Sequence, residues 1–229
     1  MKTNVFLFCV ATLLFTACSK NDDNSNAPNP PSTETYINTN SGSSWTYHES
    51  DSSGAVPVNS DYTVTSTSKD TSINSRSYHI YNFSYGGSRY LNISGHDYYQ
   101  YDSLPGSLGA GVFERLYLKD NVAVGEKWTQ NLSVTIPGSP LPVPVTVTNN
   151  ITEKGISRSV NGTNYTDVIH VTSSVSSTLI PPASLTSSIN SYYASKYGLI
   201  ESTAIVDLDF LGITQKVNLR TKLVSAVLK

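Results

Sequence analysis

From Tyr36 onward, apolar and polar positions alternate with a period of two, in runs of strand length broken by Gly, Asn, Asp and Ser. Asp61–Thr67 (DYTVTST), Ser77–Ser84 (SYHIYNFS) and Arg89–Ser94 (RYLNIS) are rich in β-branched and aromatic residues, which suit a half-buried pleated surface. Gly86-Gly87 reads as a hairpin between the last two, and Gly95-His96 separates Arg89–Ser94 from Asp97–Tyr101. Val112–Lys119 (VFERLYLK) alternates, with Phe113, Leu116 and Leu118 as core candidates. Lys127–Ile136, Val143–Thr152, Tyr165–Ser174 and Ile213–Val224 continue the pattern. Asn161-Gly162 is a type I′ turn dipeptide between Ile156–Val160 and Tyr165–Val171. Trp45 and Tyr47, two residues apart, share one strand face and can fill a core. Pro137–Pro144 (PGSPLPVP) cannot be a central strand, because its prolines lack donors; it is a loop or an edge. One segment reads as helix, Pro182–Tyr193, with Ser184 as its cap. The pattern predicts one all-β domain over 36–229. Its architecture is a single antiparallel curled sheet or half-barrel/sandwich with at most one short helix.

The first 35 residues follow a different rule. Lys2 precedes an apolar run from Val5 to Phe15, too short to span a bilayer comfortably, and Phe15-Thr16-Ala17-Cys18 follows. The cysteine after small residues resembles the lipobox of bacterial lipoproteins, although Phe15 stands where that family usually has Leu. An ordinary secretory signal with a cysteine near the cut is the competing reading. The resemblance implies that 1–17 is a signal peptide, that Cys18 is acylated, and that the membrane is a partner through those chains. Two or more acyl chains make such anchoring stable. Ser19–Thr35 has no apolar residue but Ala27 and prolines and cannot bury a core, so 18–35 reads as lipidated cysteine and disordered tether. Its reach is roughly 20–25 Å. Lys20-Asn21-Asp22-Asp23 resembles the lysine-plus-acidic export signal of Bacteroidetes-type lipoproteins, which implies the outer membrane and its outer face; a solvated linker would look the same.

Charge narrows the partners. With 15 Lys+Arg against 17 Asp+Glu and no basic patch, nucleic acid is excluded as an expected ligand. The two cysteines are Cys9, inside the signal, and Cys18, so the exported domain has no disulfide or Cys-based metal site and depends on its core. The 15 tyrosines and the low charged fraction of 14% suit an exported β-protein.

Several short motifs resemble a broad class of small Bacteroidetes lipoproteins. They are Asn40–Tyr47 (NSGSSWTY), Val124-Gly125-Glu126-Lys127-Trp128, Asp167–Val171 and Tyr192–Ile200 (YYASKYGLI), in an order covering nearly all of the domain. Tyr197 departs from the class, which tends to have a small aliphatic residue there. The resemblance implies a curled antiparallel sheet somewhat like the half-barrel of LolA- and LppX-type carriers, and an envelope location, but little about function. Gly198 reads as a bend or close approach between strands.

No motif for catalysis, cofactor or metal stands out. His48, His79, His96 and His170 lack metal-ligand spacing, no Gly-x-Ser-x-Gly elbow exists, and no serine has a triad context in sequence. Asp97, Asp102, Glu114, Glu126 and Asp207 have no pattern to pair them, and the Asp207/Asp209 alternation fits calcium or a solvated face. The richest segment is Tyr78–Tyr101 with seven tyrosines. Within it Tyr81, Tyr85, Tyr90, Tyr98, Tyr99 and Tyr101 are candidate ligand-binding residues, either as a stacking platform for a glycan or as cross-strand packing. Asp102-Ser103-Leu104 resembles the short O-glycosylation site of the same bacteria, which makes Ser103 a modification candidate. The expected function is a non-enzymatic, membrane-anchored binding or structural lipoprotein. The runner-up is a carrier of a lipid or other apolar ligand, with Leu179-Ile180-Pro181-Pro182 and Leu185 as a lid. A hydrolase with scattered residues has no motif in its favour.

Overall fold

Among the described residues the period-two pattern resolves into twelve antiparallel strands of one sheet. The computed structural model describes residues 34–103, 112–136, 139 and 141–229. The signal, Cys18, the Lys20–Asp23 motif and the tether through residue 33 lie outside the described residues, whereas Glu34 and Thr35, expected at the end of the tether, are tied to Lys196, and the Asp102-Ser103-Leu104 site runs out of the described residues at Leu104. Pro31–Lys229 forms one compact unit. The strands are β1 Ser44–Asp51, β2 Val58–Ile73, β3 Arg76–Phe83, β4 Ser88–Ser94, β5 Asp97–Ser103 and β6 Val112–Lys119, then β7 Lys127–Val134, β8 Val143–Val160, β9 Thr163–Ser176, β10 Leu185–Ala194, β11 Gly198–Phe210 and β12 Ile213–Val227.

Their order in the sheet is β6-β5-β4-β3-β2-β1-β12-β11-β10-β9-β8-β7. Two six-stranded meanders are therefore joined where the first strand pairs the last, Ser44 opposite Val227 through Asp51 opposite Leu219. The sheet curls into a nearly closed barrel, further round than a half-barrel. Among the described strands its one interruption in the ladder is the seam between β6 and β7. There the side chains of β7 replace the missing rungs. Trp128 Nε1–H donates to Leu116 O at 2.8 Å, Leu116 N–H donates to Gln130 Oε1 at 3.2 Å, and Gln130 Nε2–H donates to Glu114 O. One side-chain amide thus substitutes for a peptide group and satisfies edge donors and acceptors that would otherwise be stranded.

The local chemistry explains most turns. Asn161 and Gly162 take φ of 48° and 82°, the left-handed pair that a type I′ turn requires, and join β8 to β9. Pro144 lies at the start of β8 opposite Ser133 of β7, and pairing with β9 begins only at Thr146 opposite Ser176, so its missing N–H faces no neighbour. The expected helix over Pro182–Tyr193 is corrected: Leu185–Ala194 is β10, paired to β11 along its length and to β9 from Ile189 to Ala194. Ladders on both sides override the local helical spacing.

In such a meander, alternate turns fall at the same end. One end collects the turns after β2, β4, β6, β8 and β10 and is plugged by a strap, residues 34–43. Tyr36 and Ile37 of the strap are buried in the larger core cluster with Trp45, Tyr47, Tyr81, Tyr98, Leu118 and Ile151. Polar bonds tie the strap to many strands: Lys196 N to Thr35 O at 2.9 Å, Tyr36 Oη to Asp167 Oδ1 at 3.0 Å, Tyr81 Oη to Asn38 O at 2.8 Å and Ser66 Oγ to Thr39 O at 3.0 Å. The other end carries the second core cluster of Val134, Ile136, Val145, Ile180 and Leu208.

Candidate functional site

Inward-facing side chains do not fill the barrel. Between the two core clusters lies a cavity of about 760 Å³, running from Ile37 and Trp45 at the plugged end to Ile180 and Leu185 at the other. Within the residues expected to form a lid, Ile180 is buried over this space, Leu185 packs beside it, and Leu179 is exposed. Tyr85 both lines the cavity and is 70% exposed, which places it at the rim where the cavity meets solvent.

The two sides of the cavity differ chemically. The wall from β7 to β12 is mainly aliphatic, with Val145, Val147, Val175, Val206, Leu208 and Val217 among its residues. The wall from β4 to β6 carries Arg89, Gln100, Asp102 and Arg115. Tyrosine rings floor the space between them. Burial pushes the Tyr62 hydroxyl up to about 12, and burial likewise raises Tyr47, Tyr81, Tyr117 and Tyr193 above the ordinary tyrosine value. These hydroxyls therefore stay neutral near pH 7.

The candidate tyrosines divide by strand alternation rather than forming one platform. Tyr81, Tyr85 and Tyr98 face inward; Tyr81 and Tyr98 are buried, Tyr81 beside Trp45 with ring centroids 5.9 Å apart. Tyr98 donates to Asp120 Oδ2 at 2.5 Å and accepts from the Tyr36 N–H at 3.3 Å, so it anchors the strap. Tyr90, Tyr99 and Tyr101 alternate with cavity-lining neighbours and face outward, half-buried. Tyr90 opposes Tyr101 across β4 and β5, and Arg76 lies 3.6 Å over the Tyr99 ring. The six candidates therefore do not share one exposed face.

Three of the five carboxylates considered for hydrolysis meet a lysine or arginine. Asp97 pairs Lys119 at 2.8 Å, Glu114 pairs Arg76 at 2.8 Å, and Asp207 lies 4.0 Å from Lys216. Each histidine meets an acid through Nδ1: His48 with Asp61, His79 with Asp70, His96 with Asp120 and His170 with Glu153. Among the described residues, no group of three or more His, Cys, Asp or Glu converges to hold a metal ion.

One arrangement escaped sequence reasoning. Ser66 Oγ lies 2.9 Å from His79 Nε2, and His79 Nδ1 lies 2.7 Å from Asp70, the connectivity of a Ser-His-Asp triad. A two-residue serine–histidine relation across a bulged hairpin leaves no signature in sequence, since the bulge between Ser66 and Asp70 sets the meeting. The serine is 1% exposed, its hydroxyl donates to Thr39 O, and its N–H donates to Ser43 O. The hydroxyl and the backbone N–H of Ser66 are both bonded to the strap, which the trio holds against β2 and β3.

Comparison with known proteins adds little to this geometry. No protein-family model matches the chain, and no curated protein matches it. Two solved structures are similar in shape. A lipoprotein candidate from Parabacteroides distasonis is 9% identical, with a TM-score of 0.45 over 85% of this chain and 99% of that one. An exported-protein candidate with a YmcC-like fold from Bacteroides fragilis is 10% identical, with a TM-score of 0.47 over the same shares. Likenesses this distant carry neither family nor function across.

Proposed function

We propose that this chain is a non-enzymatic envelope lipoprotein, held to the outer membrane by acyl chains on Cys18, whose barrel shelters an apolar ligand. The observation that supports it most is the cavity of about 760 Å³ with its long aliphatic wall. Ligand sites typically span about 300–1,000 Å³ and are mostly apolar with a few placed polar groups. A barrel meant only as a structural module gains nothing from such a void, since unfilled space forfeits packing.

The open end supports the same reading. Val56, Val58, Tyr85, Val112, Leu141, Leu179 and Leu211 are exposed, and all lie in or beside the turns that follow β1, β3, β5, β7, β9 and β11. An apolar fringe at that end suits entrance and exit of an apolar ligand, away from the strap at which the tether joins.

The test is native mass spectrometry of residues 18–229 carrying Cys18→Ser, purified from periplasm. A retained mass that dissociates as a lipid, or uptake of added hexadecanol, is expected. A clean polypeptide mass together with no uptake of hexadecanol sinks the proposal, and glycan arrays with Tyr90→Ala, Tyr99→Ala and Tyr101→Ala follow.

A further inference from the structure

We infer that the cavity selects a single-chain amphiphile with a small anionic head, gripped by Arg89 with help from Trp45. This rests on the apolar-ligand reading and goes beyond it by naming the head group. Two donors on residues lining the cavity have no hydrogen-bond partner although both are buried: the Nε–H of Arg89 and the Nε1–H of Trp45. A buried donor without an acceptor is costly and rare, and here both belong to neighbours of one residue, Tyr81. Tyr81 sits between them, opposite Arg89 across β3 and β4 and with its ring 5.9 Å from that of Trp45. Two orphaned donors and no orphaned acceptor on the cavity-lining residues ask for an acceptor-rich guest.

The charge of Arg89 is central to the space. It opposes the upward push of burial on Tyr47, Tyr62, Tyr81, Tyr85, Tyr117 and Tyr193, which line the same cavity. Its guanidinium lies 5.0 Å over the Phe83 ring. Arg115 adds a second cation on the same wall. Two acids also line the cavity: Glu49 accepts from Thr221 Oγ1 at 3.2 Å and Asp102 from Gln100 Nε2 at 2.8 Å. A guanidinium fork matches carboxylate or phosphate, and the aliphatic wall opposite takes the chain.

The experiment measures uptake of hexadecanoate, hexadecyl phosphate and hexadecanol by residues 18–229 with Cys18→Ser, followed by tryptophan fluorescence and native mass spectrometry. The wild type is expected to bind at least one anion about tenfold or more tighter than the alcohol. Whichever anion is tighter identifies the head as carboxylate or phosphate. Arg89→Met removes that preference while alcohol binding persists, and Trp45→Phe weakens it in part. If Arg89→Met does not fold, Arg89→Lys replaces it, with the preference reduced because the fork is lost. Equal binding of acid and alcohol by wild type overturns the inference but leaves the apolar cavity standing. An equal loss of both in Arg89→Met also overturns it, by making the arginine a packing residue. Uptake of none of the three overturns the reading of the cavity itself.

Discussion

Gln130 of β7 accepts from the backbone N–H of Leu116 on β6 at 3.2 Å and returns a donor to Glu114 O, so one side chain bridges the only break in the barrel's ladder among the described strands. Removing it strands a donor and an acceptor in a partly buried seam. Gln130→Ala should lower stability by about 2–6 kcal/mol in urea denaturation, at about 1–3 kcal/mol for each of the two orphaned groups. Amide exchange at Leu116 should accelerate in the same variant. An unchanged midpoint would mean that Trp128 alone holds the seam.

The plug at the closed end makes a second prediction. Gly198 has φ 73°, and a Cβ there would stand 3.3 Å from the carbonyl oxygen of Tyr36. Gly198→Ala should therefore cost about 1–3 kcal/mol, from left-handed strain plus displacement of the strap. Tyr36→Phe, which loses only the bond to Asp167, should cost about 1 kcal/mol. Thermal unfolding of the two variants should fall in that order.

High pH should unfold the domain. Burial raises Tyr62 to about 12 and lifts Tyr47 and Tyr81 as well, whereas the unfolded chain titrates near 10. Between those values the unfolded state releases protons that the folded state retains. The stabilisation is therefore complete below pH 10 and declines as pH rises from about 10 towards 12. Tyrosinate absorbance should appear cooperatively, together with loss of near-ultraviolet circular dichroism. A gradual rise with the fold intact would contradict the buried positions.

Arg158 and Glu201 form the most enclosed ion pair among those of the described residues. Arg158 Nη2 and Nε reach Glu201 Oε2 at 2.6 and 2.8 Å, and the guanidinium lies 3.3 Å over the Tyr192 ring. Glu201 is 9% exposed at its side chain and Arg158 29%. Glu201→Gln should cost about 2 kcal/mol, less than a fully buried pair because water reaches the arginine. A double-mutant cycle with Arg158→Met measures the coupling directly.

The clamp of Ser66, His79 and Asp70 should be chemically silent. A fluorophosphonate probe is expected not to label the native protein, because the hydroxyl is buried and bound to Thr39 O. Labelling at Ser66 would make the strap a gate over a hydrolase site.

Alternation by itself determined much of this molecule. Val112–Lys119 is a strand with the bounds its pattern predicts, Asn161-Gly162 turns as its dipeptide dictates, and Trp45 and Tyr47 both enter the core from one face. Those outcomes depend on neighbours within a few residues, where side-chain period and turn chemistry act. Tertiary structure decided the rest. Leu185–Ala194 became a strand because ladders formed on both sides of it, against its helical spacing. The bulge that sets Tyr98 opposite Leu118 and Tyr99 opposite Leu116 leaves Tyr117 as an extra residue of β6, a change of register that alternation alone does not foretell. The seam of Gln130, the meeting of Ser66 with His79 and the placing of Trp45 and Arg89 next to Tyr81 join residues on different strands. Period two says which residues share a face, but whether that face encloses a filled core or a cavity depends on register, bulges and how far the sheet curls before its edges meet.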